Sequence, residues 1–185
     1  EDRAALALER LDTTSALVAA TPASVLTADE LPTKRMRAEP LLQPLAAIVW
    51  YRDFDLRLGD HKPLAEAARR GAVVPAFVWP VAKEHRGEHS PGGAAQAWLE
   101  ESLEHLDNCL SALGSRLIVR RSSADVASEL AALAEECGAK SVYFHRAYTP
   151  DGSRDEASVG AALASRGIDA VSLAGHLLYE PSQVD

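Results

Sequence analysis

The sequence predicts an α/β fold: a Rossmann-like sheet of five parallel strands with helices on both faces. From residue 46 onward, short apolar runs alternate with segments whose apolar residues recur every three or four positions. This alternation is typical of βαβ units. The strand-like runs are apolar almost throughout, as expected of parallel strands that are buried on both faces. A chain of 185 residues, 47% of them hydrophobic, is long enough for one such domain with a full core.

The first two predicted strands flank a short helix. Ala47–Tyr51 is an apolar run that ends in a loop rich in Arg and Asp. His61–Arg70 is predicted as a helix with a proline in its first turn, where proline is tolerated, and Asp60 suits its N-cap. Val73–Trp79 is the second strand, and Pro75 within it predicts an early bulge or an unpaired amide.

Three more helices and three more strands complete the predicted domain, which extends over residues 46–185. A polar loop at Pro80–Gly93 precedes them, and a second loop at Arg146–Ser153 interrupts them. Glycines that end all three helices, Gly114, Gly138 and Gly167, support their boundaries. The predicted elements are a helix at Gln96–Leu113, a strand at Arg116–Arg120, a helix from about Ser122 to Cys137, a strand at Ser141–His145, a helix at Ala157–Ser165 and a strand at Ile168–Leu173.

Residues 1–45 differ in character from the predicted domain. Pro22, Pro32, Pro40 and Pro44 interrupt this segment, and proline disfavours helix at and just before its own position. We therefore expect an extended N-terminal arm. Its scattered apolar residues indicate that it packs on a surface, either on its own domain or on a protein partner.

Composition argues against two classes of function. The formal net charge is −8, and the basic residues occur in small scattered clusters, so nucleic-acid binding by this chain alone is not expected. No apolar run approaches the ~20 residues of a membrane-spanning helix.

Cys109 and Cys137 form neither a disulfide framework nor a metal motif, and they are predicted to be small core residues. A soluble protein of a reducing intracellular compartment (chloroplast, nucleus or cytoplasm) is expected.

Candidate functional residues follow the predicted strands. Arg52, Asp55, Arg57 and Asp60 can form a lattice of ion pairs that holds the turn after the first strand without any ligand. His145 and Tyr148 follow the fourth strand, at the edge where parallel sheets bind ligands.

Other recognisable sites are lacking in the sequence. His85 and His89 have no evident third metal ligand, so no metal site is expected. No glycine-rich phosphate loop and no nucleophile elbow occurs, and no catalytic residue is proposed. Core packing is the expected role of all three tryptophans, Trp50, Trp79 and Trp98.

Several short motifs between residues 47 and 181 occur in the order in which one protein family carries them. They are Trp50-Tyr51-Arg52-Asp53-Phe54-Asp55-Leu56-Arg57, Val73–Trp79, Ser90-Pro91-Gly92 with Trp98-Leu99 and Ser102-Leu103, Leu110–Ala127, Tyr143–Pro150, Arg154-Asp155 and Leu177–Pro181. Together they resemble the N-terminal α/β domain of the photolyase/cryptochrome family, and most of all its plant-like cryptochromes. The resemblance does not extend to residues 1–45.

The resemblance implies a domain that at most binds an antenna chromophore (a folate, a deazaflavin or a flavin). The expected contacts are Arg52, His145, Tyr148 and Arg154, at the carboxyl edge of the sheet. Thr149 replaces the acid that folate-binding relatives carry there, which counts against a folate. In the family a separate helical half binds FAD. None of that half is recognisable in this sequence, so neither FAD binding nor DNA repair is expected of this chain alone.

Two other hypotheses remain open. The domain could be a light-independent interaction or structural subunit of a larger complex, for example one in the chloroplast, docking through its arm and its cleft face. It could also be a nucleotide-binding enzyme of the wider Rossmann-like group, although the missing phosphate loop counts against that. The fold alone does not decide between these functions.

Overall fold

The computed structural model of the protein describes residues 46–80, 92–122, 125–175 and 177–183. The predicted arm at residues 1–45, the pair His85 and His89, and nearly all of the predicted loop between Pro80 and Gly93 lie outside the described residues. No described helix is both long enough and apolar enough to cross a membrane.

The described residues contain a sheet of five parallel strands. The strands are β1 (Ala47–Tyr51), β2 (Val73–Pro80), β3 (Ile118–Ser122), β4 (Ser141–His145) and β5 (Asp169–Leu173). Their order across the sheet is β3-β2-β1-β4-β5, with every pair of neighbours parallel. The predicted fold class is confirmed.

Helices cover both faces of the sheet. They are α1 (Lys62–Ala68), α2 (Gly93–Ala112), α3 (Val126–Cys137) and α4 (Pro150–Ala164). Alternate residues of a strand point to opposite faces, so the strands supply two separate cores. One core joins Ile48 and Trp50 of β1 to residues of α3 and α4, and the other joins Val49 and Tyr51 to residues of α1 and α2.

Local predictions about capping and bulges need correction. Pro75 causes no bulge, because the β1–β2 register continues unbroken from Ala47 opposite Val73 to Tyr51 opposite Phe77. His61, not Asp60, is the N-cap of α1, because its Nδ1 accepts the Leu64 amide at 3.1 Å. Asp60 instead accepts a hydrogen bond from Arg57 Nε at 2.6 Å.

The start of α4 was predicted seven residues too late. The helix begins at Pro150 because Thr149 caps it: the Thr149 hydroxyl oxygen accepts the Gly152 amide at 3.1 Å. Proline fits the first turn of a helix, where its missing N–H has no partner to lose. The longer helix brings Glu156 over the sheet.

Two predictions of core burial are wrong. Trp50 and Trp79 are buried as predicted, but the side chain of Trp98 is 72% exposed. Cys109 and Cys137 are both free and half-buried; Cys137 packs against the core beneath α3, as predicted, but Cys109 is not part of the core. Trp98 and Cys109 both lie on α2, whose core face is formed instead by Leu103, Leu106 and Leu110.

The strand order places the candidate residues at one point of the sheet. The chain runs outward from β1 to β2 and β3, and then returns to the other side of β1 for β4 and β5. The carboxyl ends of β1 and β4 therefore form the topological switch point, where open α/β sheets bind ligands. Arg52 follows β1 directly, and His145 is the last residue of β4.

Candidate functional site at the switch point

Asp55 organises the loop that follows β1. Its Oδ1 accepts the backbone amide of Arg52 at 2.6 Å, which closes a tight turn. Its Oδ2 accepts hydrogen bonds from two histidines, His61 Nε2 at 3.2 Å and His145 Nδ1 at 2.8 Å. All three side chains are buried, so a single carboxylate ties together the β1 loop, the start of α1 and the end of β4.

The hydrogen bonds fix the protons on the two rings. His61 Nδ1 accepts the Leu64 amide, so the proton of the neutral ring must lie on Nε2, facing Asp55. His145 likewise carries its proton on Nδ1, facing the same oxygen. The second nitrogen of His145, Nε2, is buried and has no hydrogen-bond partner among the described residues.

The buried environment shifts the acidities of this group. Burial lowers the pKa of His61 below its ordinary value, although Asp55 opposes that effect. Burial alone would raise the pKa of Asp55, but the hydrogen bonds from His145, His61 and the Arg52 amide hold that pKa below its usual value. Asp55 is thus a carboxylate that accepts hydrogen bonds from both imidazole rings, and burial favours the neutral form of His61.

A metal ion does not fit this group, although its donor atoms are close together. One atom from each of Asp55, His61 and His145 lies within 4.8 Å of the others. A metal on His61 Nε2 would need the lone pair there, and the proton would then have to move to Nδ1. That nitrogen already accepts the Leu64 amide, so metal binding would break the cap of α1.

Arg52 braces the other side of the same loop. Its Nη1 lies 3.0 Å from Glu156 Oε1 of α4, and both side chains are largely buried. Its guanidinium also lies 4.7 Å from the ring centre of Trp50 and 5.4 Å from that of Phe54. Glu156 further accepts hydrogen bonds from the Ala147 amide and from the Ser172 hydroxyl. The Arg52–Glu156 pair therefore connects β1, α4, β5 and the end of β4.

Tyr148 and Arg154 lie nearer to solvent than Arg52 and His145. The Tyr148 hydroxyl donates to Glu180, which also accepts Arg146 Nη1 at 2.7 Å. Desolvation and the neighbouring Glu180 carboxylate raise the pKa of Tyr148. Arg154 is 76% exposed and pairs with Asp151 at 2.7 Å on the surface of α4.

The four predicted site residues therefore form two layers. Arg52 and His145 belong to the buried layer, and Tyr148 and Arg154 lie on the outer one. Three further residues of this site, Glu156, Glu180 and His61, were not predicted from the sequence. His61 had a local signal, because it immediately precedes a helix whose first turn holds a proline, but an N-cap is usually sought among Ser, Thr, Asp and Asn.

Comparisons with known proteins place the chain in a family. The family model described as DNA photolyase matches residues 47–185. The chain belongs to the photolyase/cryptochrome family. Cryptochrome-1 of Arabidopsis thaliana is 39% identical over 138 residues, which is 75% of this chain and 20% of the relative.

Solved structures of the family share the fold. A bacterial class III photolyase from Agrobacterium tumefaciens superposes with a TM-score of 0.68 at 33% identity, covering 78% of this chain and 28% of that protein. A cryptochrome from Synechocystis sp. PCC6803 gives a TM-score of 0.68 at 27% identity, covering 75% of this chain and 29% of that one. The chain thus spans less than a third of these photolyase-family relatives, and the part it matches is an α/β domain.

Proposed function

We propose that this chain is the α/β domain of a blue-light receptor or photolyase relative, and that its own ligand is an antenna chromophore. The ligand class is a flavin, a deazaflavin or a folate, held at the carboxyl edge of the sheet. The observation that carries the proposal is the position of Tyr148 beside the β1–β4 switch point, in a chain of this family. No FAD photochemistry is assigned to this chain alone.

The two layers of residues have different roles in this proposal. Arg52 and His145 are engaged with Glu156 and Asp55, so they support the site from below. Tyr148 offers a hydroxyl group and Arg154 a guanidinium to the outer face. A guanidinium can pair with the carboxylate or phosphate groups that such chromophores carry. Thr149 is already the N-cap of α4 and supplies no charge, which favours a flavin or a deazaflavin over a folate.

Reconstitution with purified chromophores tests the proposal. The protein is titrated with a flavin, a deazaflavin and a folate, and the near-UV and blue absorption is followed. We expect Arg154→Gln to weaken binding about tenfold, the loss of one charge-assisted hydrogen bond. Arg166→Gln, after the far end of α4, is the matched control and should bind as the wild type does. Failure of all three chromophores to bind would overturn the antenna role.

A second candidate function is supported by exposed apolar residues near the carboxyl edge. Leu178 and Tyr179 are 91% and 68% exposed, and contiguous exposed apolar side chains mark interaction surfaces. In this alternative the domain is a light-independent subunit of a larger complex, for example one in the chloroplast, and the arm at residues 1–45 also docks on a protein partner. A colourless protein from the native source, with a mass far above one chain, would favour this alternative.

A further inference from the structure

The solvent face of α2 carries a pair of metal-ligating side chains. His105 and Cys109 are one helical turn apart, and His105 Nε2 lies 3.6 Å from Cys109 Sγ. His105 is exposed and Cys109 half-buried, so an ion from solvent can reach both. Neither residue contributes to the core beneath the helix, which is formed by other residues of α2.

The spacing of the two atoms suits a tetrahedral metal centre. Zinc binds a thiolate at about 2.3 Å and an imidazole nitrogen at about 2.0 Å, so two such ligands at a tetrahedral angle lie about 3.6 Å apart. The observed distance of 3.6 Å between His105 Nε2 and Cys109 Sγ matches this spacing. Asp107 is buried and paired with Arg116, but α2 carries three further acidic residues, Glu100, Glu101 and Glu104, and no Lys or Arg, so the charge of the helix attracts a cation.

One chain supplies only half of a closed zinc site. Structural zinc sites use four protein ligands, and a pair from one helix leaves two positions open. The same face of α2 carries Trp98, which is 72% exposed, and Leu113, just past the C-terminal end of the helix, is 63% exposed. Trp98, His105 and Cys109 lie within about 40° of one another around the helix axis. Large exposed apolar side chains beside an incomplete ligand set indicate a protein surface as the missing half.

We propose that two copies of this chain share one zinc ion through a His2Cys2 centre formed by their α2 helices. In a twofold antiparallel arrangement, His105 of each copy faces Cys109 of the other around the ion. Trp98 and Leu113 then lie on either side of the metal within the interface. The acidic helices repel each other without the ion, so the dimer depends on zinc. On binding, each Cys109 releases its thiol proton to solvent and coordinates as the thiolate.

Cobalt substitution and mass measurement on the reduced, metal-free full chain test this centre. We expect one Co²⁺ per two chains, a thiolate-to-cobalt charge-transfer band, and a dimer that forms with Co²⁺ or Zn²⁺ and dissociates with a chelator. Cys109→Ser and His105→Gln should each weaken metal binding at least about tenfold. Cys137→Ser is the matched control, because the Cys137 thiol lies on α3 and burial raises its pKa.

Two results would overturn the inference. One is metal binding that persists unchanged in both Cys109→Ser and His105→Gln, because the ion would then be held by other residues. The other is a protein that remains a monomer with saturating zinc. Both variants change the solvent face of α2, and their circular dichroism spectra should match the wild type, so that a loss of binding is not a loss of fold.

Discussion

Asp55 Oδ2 lies 2.8 Å from His145 Nδ1, although 90 residues separate the two in sequence. The contact spans the switch point, joining the loop after β1 to the last residue of β4. Both side chains are buried, and the same carboxylate also accepts hydrogen bonds from His61 and from the Arg52 amide. The innermost part of the position at which many parallel sheets bind a ligand is therefore filled here by the protein's own side chains, and the proposed chromophore would lie against the outer layer, beside Tyr148 and Arg154.

Removing the charge of Asp55 should destabilise the domain strongly. Asp55→Asn replaces one acceptor oxygen by an amide donor, so at least one of the three donors loses its partner. A buried hydrogen bond to a charged group contributes about 1.5–3 kcal/mol, and we expect a loss of about 2–4 kcal/mol in the free energy of unfolding. Urea unfolding measures it. The control is Asp60→Asn, since Asp60 is exposed and its variant should unfold as the wild type does. Equal stability of all three proteins would refute this role of Asp55.

The stability of the domain should fall as the pH decreases below about 6.5. His61 has a folded pKa below its ordinary value of 6.5, because burial disfavours the imidazolium. Below that value the unfolded chain binds a proton that the folded chain does not, so the free energy of unfolding decreases with falling pH until the folded pKa is reached. Asp55, whose pKa is also lowered, adds a further loss only at more acidic pH.

Unfolding of a histidine variant at several pH values tests this linkage. In His61→Asn the new side chain can still cap α1, since asparagine is a good N-cap residue. Without the buried imidazole, the free energy of unfolding of the variant should change less between about pH 5 and 7. We expect its slope against pH to be shallower than that of the wild type by up to about 1.4 kcal/mol per pH unit. His105→Asn, on the exposed face of α2, should keep the wild-type slope. The same slope in both variants would exclude His61 as the source.

The fold was predictable because its main signals are local. Apolar runs such as Ser141–His145 and Ala47–Tyr51 coincide with strands to the residue. The predicted boundaries were wrong where a capping residue sets them. Helix α4 begins at Pro150 with Thr149 as its N-cap, in a stretch that was predicted as a loop. Because the predicted helix began only at Ala157, Glu156 was placed before the helix. Its contact with Arg52, 104 residues away, could not be anticipated.

The exposure of Trp98 shows a limit of periodicity. Trp98 lies three to four residues before other apolar positions of α2, a spacing that predicts a shared face. The helix has 20 residues and is about 30 Å long, whereas strands of five residues span about 17 Å. Among the described residues, the core contacts of the helix begin at Leu99, whereas Ala94, Ala97 and Trp98 in its first turns are all exposed. Helix length relative to strand length would have been the useful signal.

Arg52 should contribute to stability as much as to any ligand site. Arg52→Ala leaves Glu156 partly buried without its cation and removes the contacts with Trp50 and Phe54. Breaking a buried ion pair by deleting one partner costs about 3–5 kcal/mol, and we expect a loss near the lower end, because Glu156 keeps its other donors. Denaturant unfolding gives the value. Arg154→Ala, at an exposed ion pair on the same helix as Glu156, serves as control and should change the free energy of unfolding by less than about 1 kcal/mol. Similar losses in the two variants would mean that burial of the Arg52–Glu156 pair adds nothing to the free energy of unfolding.

Two glycines of α4 should respond to alanine in opposite directions. A Cβ at Gly152 would lie 2.5 Å from Ala147 Cβ, 2.8 Å from Thr149 Oγ1 and 3.2 Å from Arg52 Nη2. A Cβ at Gly160 would meet nothing within 4 Å. Gly160→Ala should therefore stabilise the domain by about 0.5–1 kcal/mol through helix propensity alone.

Gly152→Ala gains the same propensity but forces the cap residue and the Arg52 guanidinium to move. We expect a net destabilisation of about 1–3 kcal/mol, typical of overpacking. Because both changes are Gly→Ala in one helix, the difference between their thermal or urea unfolding midpoints isolates the steric effect at the switch point. If Gly152→Ala were as stable as Gly160→Ala, the close packing of α4 against the end of β4 would be wrong, and the site would have room there for a ligand.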